Sequence, residues 1–112
     1  MELVTIEQVR VHARADPEDD TMLTVYADAA EQQVQDFLNR RVFATADSMA
    51  DAVLAGDAGC DPMLVNPVVR AAVLLLAAHL FRHREAVTTE AARELPLGVT
   101  QLLWPHRVGL GV

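Results

Sequence analysis

From Asn66 to Phe81 the chain reads Asn-Pro-Val-Val-Arg-Ala-Ala-Val-Leu-Leu-Leu-Ala-Ala-His-Leu-Phe. Between Val68 and Phe81 only Arg70 and His79 break an otherwise apolar run. Asn-Pro is a start signal, a capping side chain followed by a proline that fits the first helical turn. The segment predicts a helix to about Ala86. A helix with so little polar surface has to be covered on several sides. A chain of 112 residues covers it only in part with its own helices, and the remainder argues for neighbouring subunits. The longest unbroken apolar stretch, Ala71 to Ala78, is far shorter than the roughly 20 residues that span a bilayer.

The other segments are read around this helix. Thr5 and Gln8 are spaced as a capping box, and Ile6, Val9 and His12 or Ala13 share a face, which predicts a helix ending near Arg14. Asp16-Pro17 predicts the start of a second helix, with Glu18, Asp19 and Asp20 at its positive end. Leu23, Tyr26, Ala27, Ala30, Val34, Phe37 and Leu38 recur with a 3.6-residue period, so this helix runs to about Arg40. Arg40 and Arg41 are read as charges favoured at a helix C-terminus. Residues 42–62 hold four Asp and no basic residue. Within them Ser48 to Leu54 predicts a short helix capped by Asp47 or Ser48, in a stretch expected to be exposed and partly mobile. Leu95-Pro96-Leu97-Gly98 opens a last helix through Trp104, which Pro105 ends. The tail from His106 to Val112 is apolar and glycine-spaced, and an apolar end on an acidic protein points to a docking element; a tail folded back on its own domain is the alternative.

These segments predict an all-α fold: a small bundle of about four helices, two of them long and antiparallel, plus an extended C-terminal tail. No strand is convincing. Ala, Val and Leu supply 18, 15 and 14 residues and aromatics only 4%, a thin aliphatic core that suits close-packed helices. The net charge is −7, every base is Arg, and affinity for duplex DNA comes mainly from neutralising phosphates. Tight DNA binding and attachment to an anionic membrane are therefore disfavoured. The N-terminus has neither a basic nor an apolar leader region, and the single cysteine, Cys60, cannot form an intrachain disulfide. The protein is expected to be soluble and made inside the cell.

Sites of chemistry are scarce. His79 and His83 share a helical face, but Leu80 stands where a zinc-protease motif needs Glu, and Glu85 lies on another face. Asp47-Ser48-Met49 is similar to the phosphopantetheine site of acyl carrier proteins over three residues only, and a helix cap explains it as well. Cys60 has no base beside it, and a neighbouring acid discourages its thiolate. A DNA-reading helix is disfavoured by the Val, Leu and Ala on the third helix, so the arginines of Arg40-Arg41 and of the Arg82, His83, Arg84 cluster are read as helix C-terminal charges and salt-bridge partners for the acidic stretches. No catalytic residue, metal or cofactor is expected.

Taken in order, the landmarks form a recognisable set. They are Val4-Thr5-Ile6-Glu7-Gln8-Val9, His12-Ala13-Arg14, the acids Asp16 to Asp20, Ala29-Ala30 and Leu38-Asn39-Arg40-Arg41. Asn66-Pro67, the run Ala71 to Phe81 and Arg84-Glu85 follow, then Leu95-Pro96-Leu97-Gly98-Val99, Leu102-Leu103-Trp104-Pro105 and Arg107. With them the chain resembles the small head–tail connector (adaptor) family of tailed bacteriophages and prophages, often labelled DNA-packaging proteins. Residues 44–61 match no part of that pattern.

The resemblance implies a non-enzymatic subunit of a ring, commonly twelve copies in the particle. The ring docks below the portal at the head–tail junction, extends the DNA channel and offers a surface to stopper or tail proteins. It implies assembly in the bacterial host cytoplasm, with residues 1–104 a single connector domain and 105–112 a docking tail. Trp104, Pro105, His106, Arg107, Val108, Leu110 and Val112 are then expected to meet the portal. Asp28 and Glu31, with Gln35 on the same face of the second helix, and Asp47, Asp51 and Asp57 are expected to line a channel through which DNA passes without specific binding, because like charge lowers phosphate affinity. A small acidic carrier- or adaptor-like binding module, monomeric or dimeric, is the alternative from another class.

Overall fold

The computed structural model of the protein describes residues 2–59, 61–82 and 96–108. Five α-helices are found among them: α1 (Ile6–Ala13), α2 (Asp20–Leu38), α3 (Ala46–Ala55), α4 (Pro67–Arg82) and α5 (Leu97–Leu103). Single 3-10 turns precede α2 at Pro17–Asp19 and follow α5 at Trp104–His106. The fold is all-α but for two strands of two residues, β1 (Val42–Phe43) and β2 (Met63–Leu64). They pair in parallel, Val42 opposite Met63 and Phe43 opposite Leu64. Strands this short carry no alternation, which is why the sequence predicts none.

The helix starts follow their local chemistry. Thr5 Oγ1 accepts from the Gln8 amide at 3.2 Å, and the Thr5 amide donates to Gln8 Oε1 at 3.0 Å, so the capping box is made in both directions. Asn66 Oδ1 accepts from the Val69 amide at 2.8 Å at the start of α4. In contrast, α3 is capped by Thr45, whose Oγ1 accepts from the Ser48 amide at 3.1 Å; neither Asp47 nor Ser48 is the cap. Gly56 closes α3 in the left-handed region at φ 79°, where a side chain would be strained. Helix α2 begins at Asp20, after the 3-10 turn, and stops at Leu38, because Asn39 takes a left-handed φ of 57°. Pro105 lies inside the last 3-10 turn and does not end the helical path.

Helices α2 and α4 share the main interface and run antiparallel. Tyr26, near the start of α2, meets Phe81, near the end of α4, edge to face at 6.4 Å. Ala27 and Ala30 on α2 and Ala72 and Ala77 on α4 are fully buried. Small residues at the contact let the two backbones approach, and Leu23, Val34, Val73 and Leu76 fill the remaining space. Helices α1 and α5 cover two further sides of α4, sealing in Val9, Val99 and Leu103. No helix among the described residues is long and apolar enough to cross a membrane.

Charged groups fix the outer elements to this core. Glu31, on α2, is only 6% exposed. Its carboxylate accepts the backbone amides of Glu2, Leu3 and Val4 at 3.0, 2.9 and 3.3 Å. Arg70 Nε donates to the Leu3 carbonyl from the α4 side at 3.3 Å. Arg10 on α1 forks onto both carboxylate oxygens of Asp20, Nε to Oδ1 at 3.0 Å. That hydrogen-bonded guanidinium holds the Asp20 carboxyl below its ordinary pKa. A carboxyl lowered in the folded state adds stability above its unfolded pKa of about 4 and loses it as pH falls through the folded value. Asp20→Asn is therefore expected to lower the melting temperature at neutral pH and to narrow the gap to the parent as the solution is acidified. Thermal melts of both chains across the acid range check this; a gap that widens on acidification would refute it.

Candidate functional site

The residues expected to dock are held by the end of α2. The last carbonyls of any helix lack partners within it. Here the Phe37 carbonyl accepts from Arg107 Nε at 2.9 Å, and the Leu38 carbonyl accepts from the Val108 amide at 2.9 Å. Asn39, left-handed and therefore turned out of the helix, donates from Nδ2 to the Val108 carbonyl at 3.4 Å. Residues 104–108 thus fold back on their own domain as a cap on α2. For these residues the structure shows the alternative offered by the sequence, a tail folded back on its own domain. Leu110 and Val112 lie outside the described residues, as do His83, Glu85 and Cys60.

The docked tail builds an aromatic and cationic surface. The Phe37 and Trp104 rings stand 6.3 Å apart, tilted by 50°. The Arg107 guanidinium lies 5.2 Å from the Phe37 centroid and 5.6 Å from that of Trp104. A guanidinium over an aromatic face gains about 0.5–1 kcal/mol at an exposed site. Trp104 is nonetheless 61% exposed, so much of its ring is left uncovered. Pro105 and Arg107 are exposed, while His106 and Val108 are half-buried.

Arg40 secures this surface from the other side. Its Nη1 donates to the His106 carbonyl at 3.2 Å. Its Nε donates to the Asp61 carbonyl at 2.8 Å, and its Nη2 reaches Asp61 Oδ1 at 3.2 Å and the Pro62 carbonyl at 3.4 Å. One planar fork therefore ties the end of α2 to the approach to β2 and to the tail. Arg41 turns the other way, over the Phe43 ring at 5.1 Å, and donates from Nη1 to the Asp57 carbonyl at 2.7 Å. The sequence reading gives this pair charges at a helix end and salt-bridge partners in the acidic stretches; the Arg40–Asp61 pair agrees with it, and the carbonyl contacts are additional. Phe37 was read as core, although its place one turn before Arg41 put it at the helix end where a tail could reach it.

The five acids expected along the channel do not form one group. Glu31 is buried beneath residues 2–4 and is not on a solvent face, so it lines nothing in this chain. Gln35, expected beside it, is half-buried and accepts the Val42 amide through Oε1 at 3.1 Å. Asp28 is exposed on the outer side of α2. Asp47, Asp51 and Asp57 are exposed on and just after α3, an element packed mainly on β1 and β2. Charge is nevertheless segregated: positions 15–39 hold seven acids and no Arg. Among the described residues no three metal-ligating side chains gather. Ser48 lies in the first turn of α3, its Oγ accepting from Thr45 Oγ1 at 2.9 Å.

A helical subunit held together by charged clamps, with an exposed aromatic platform and no gathered chemistry among its described residues, has the character of an assembly component. The family model for the phage gp6-like head-tail connector protein matches residues 4–107, and the chain belongs to that family. The match runs from the lead into α1 through Arg107, so it includes the aromatic surface. The family is one of structural connectors of the phage head–tail junction. No curated protein and no solved structure matches the chain.

Proposed function

We propose that the protein is a subunit of a homo-oligomeric connector ring, of twelve copies in the particle, that docks below the portal and carries the stopper or tail proteins. The observation that carries this reading is the Trp104 surface. A large ring, exposed yet held in place by Phe37 and Arg107, costs little entropy to bind, and Trp and Arg dominate the energetics of protein interfaces. The portal is its proposed partner. DNA passes through the ring, facing exposed acids that include Asp28 and Asp57 and repel its backbone. Asp47 and Asp51 flank an apolar stripe on α3.

Trp104→Ala is expected to weaken binding to purified portal at least tenfold, the size of an interface hot spot. Helical content should be unchanged, since the ring is mostly outside the core. Sedimentation of the chain with portal particles reads both bound mass and affinity. A parent chain that never joins the portal would overturn the connector reading. A Trp104→Ala chain that binds as well as the parent would remove the tail from it.

A further inference from the structure

Helix α3 is the one helix among those described at length that buries none of its residues. Ten residues are too few for a helix to be stable alone in water, and protein helices draw most of their stability from a packed face. Yet both ends of α3 are specified, by the Thr45 cap and by Gly56 at φ 79°. Its exposed face carries Ala50, Val53 and Leu54, with Leu54 86% and Val53 55% exposed, and Asp47 and Asp51 beside Leu54 at helical spacing. This is an acidic, apolar helix with its best face uncovered.

The same chain carries a complementary groove between α1 and α4. Val11, 78% exposed, and Leu74 line it together with Gln8 and Glu7. A second hollow shares His12 with it and lies between α4 and the start of α5, lined by Leu75, His79, Pro96 and Val99 and reaching the exposed Arg82. The floor of the joined groove is apolar and one end is cationic. From Leu74 to Arg82 the groove follows α4 for about 12 Å, and Leu54 and Asp47 lie about 10 Å apart along α3, at 1.5 Å per residue. In this register Leu54 meets Val11 and Leu74 while Asp47 reaches Arg82.

We infer that α3 of one subunit docks into the α1–α4 groove of a second copy, and that this contact builds the ring. The inference rests on the connector reading. The two surfaces are different patches of one chain, so the contact is head-to-tail and each copy keeps one of each for the next neighbour; such contacts close into rings. It also accounts for the open side of α4 at Leu75, which remains partly exposed.

The test is disulfide capture in assembled particles. In a Cys60→Ser background, the full chain carries Leu54→Cys and Val11→Cys together or singly, and oxidant is added after assembly under reducing conditions. The double variant is expected to give a ladder extending beyond dimers on non-reducing gels, and either single variant none. Incorporation without a ladder would overturn the α3 contact and leave the connector role standing. Dimers from Leu54→Cys alone would mean that α3 pairs with α3, and a bond to the portal subunit would make the portal its occupant; both overturn the inference. A chain absent from particles would remove the connector reading itself.

Discussion

Replacing Glu31 with alanine is expected to lower the unfolding free energy by about 2–5 kcal/mol, the cost of leaving backbone amide donors, two of them buried, without their acceptor. Three backbone amides, those of Glu2, Leu3 and Val4, converge on this one carboxylate. A hydrogen bond to an ionised acceptor contributes about 1.5–3 kcal/mol, and a buried donor left without an acceptor adds its own penalty. Leu3 and Val4 are themselves core residues, so losing the clamp also loosens apolar packing against α2 and α4. Glu31→Gln keeps one oxygen and the shape, and is expected to cost roughly half as much, since a neutral acceptor is weaker. Urea unfolding monitored by circular dichroism reads both variants. A Glu31→Ala chain within about 0.5 kcal/mol of the parent, the range of ordinary surface substitutions, would show that the clamp contributes nothing. The same clamp removes Glu31 from any channel: its charge is spent on its own backbone.

The position of Glu31 shows what a sequence of this kind reveals and what it hides. Four residues after Ala27 and three before Val34, it lies on the buried face by helical spacing alone, and that signal was legible. Its charge argued the other way, and grouping it with Asp28 and Gln35 gave a solvent face that the structure does not have. What decided the matter was backbone at positions 2–4, some 28 residues distant, about which a helical period says nothing. The Thr5–Gln8 box, the Asn66-Pro67 start and the helical periods of α2 and α4 were legible because each depends on residues a few positions apart. Thr45 was not, because Thr45, Asp47 and Ser48 all qualify as caps within four positions. The docked tail was hidden for the same reason as Glu31: Arg107 and Phe37 are 70 positions apart, and only the fold brings an unmet carbonyl to that guanidinium.

Arg40 is where those long-range contacts meet, and Arg40→Ala is expected to uncouple them. Four acceptors lose their donor at once: the Asp61, Pro62 and His106 carbonyls and the Asp61 carboxylate. Asp61 is more than half exposed, so its ion pair counts for little after solvent screening. The carbonyls matter more, at about 1 kcal/mol each, for a total loss of about 2–3 kcal/mol. The loss is local in character, because the acceptors all lie at positions 61, 62 and 106, outside α2 and α4. Trp104 is the only tryptophan and sits on the tail that Arg40 holds, so its fluorescence reports directly on docking. The emission should shift to the red and quench more readily, while the far-ultraviolet helix signal stays near that of the parent. Arg40→Lys should behave almost like alanine, since a single ammonium cannot span carbonyls that a planar fork reaches in two directions. Unchanged Trp104 emission in Arg40→Ala would mean that the contacts of Arg107 and Val108 with the end of α2 hold the tail unaided. If the emission does shift, portal binding should fall with it, because a ring that swings freely must be ordered again each time it binds.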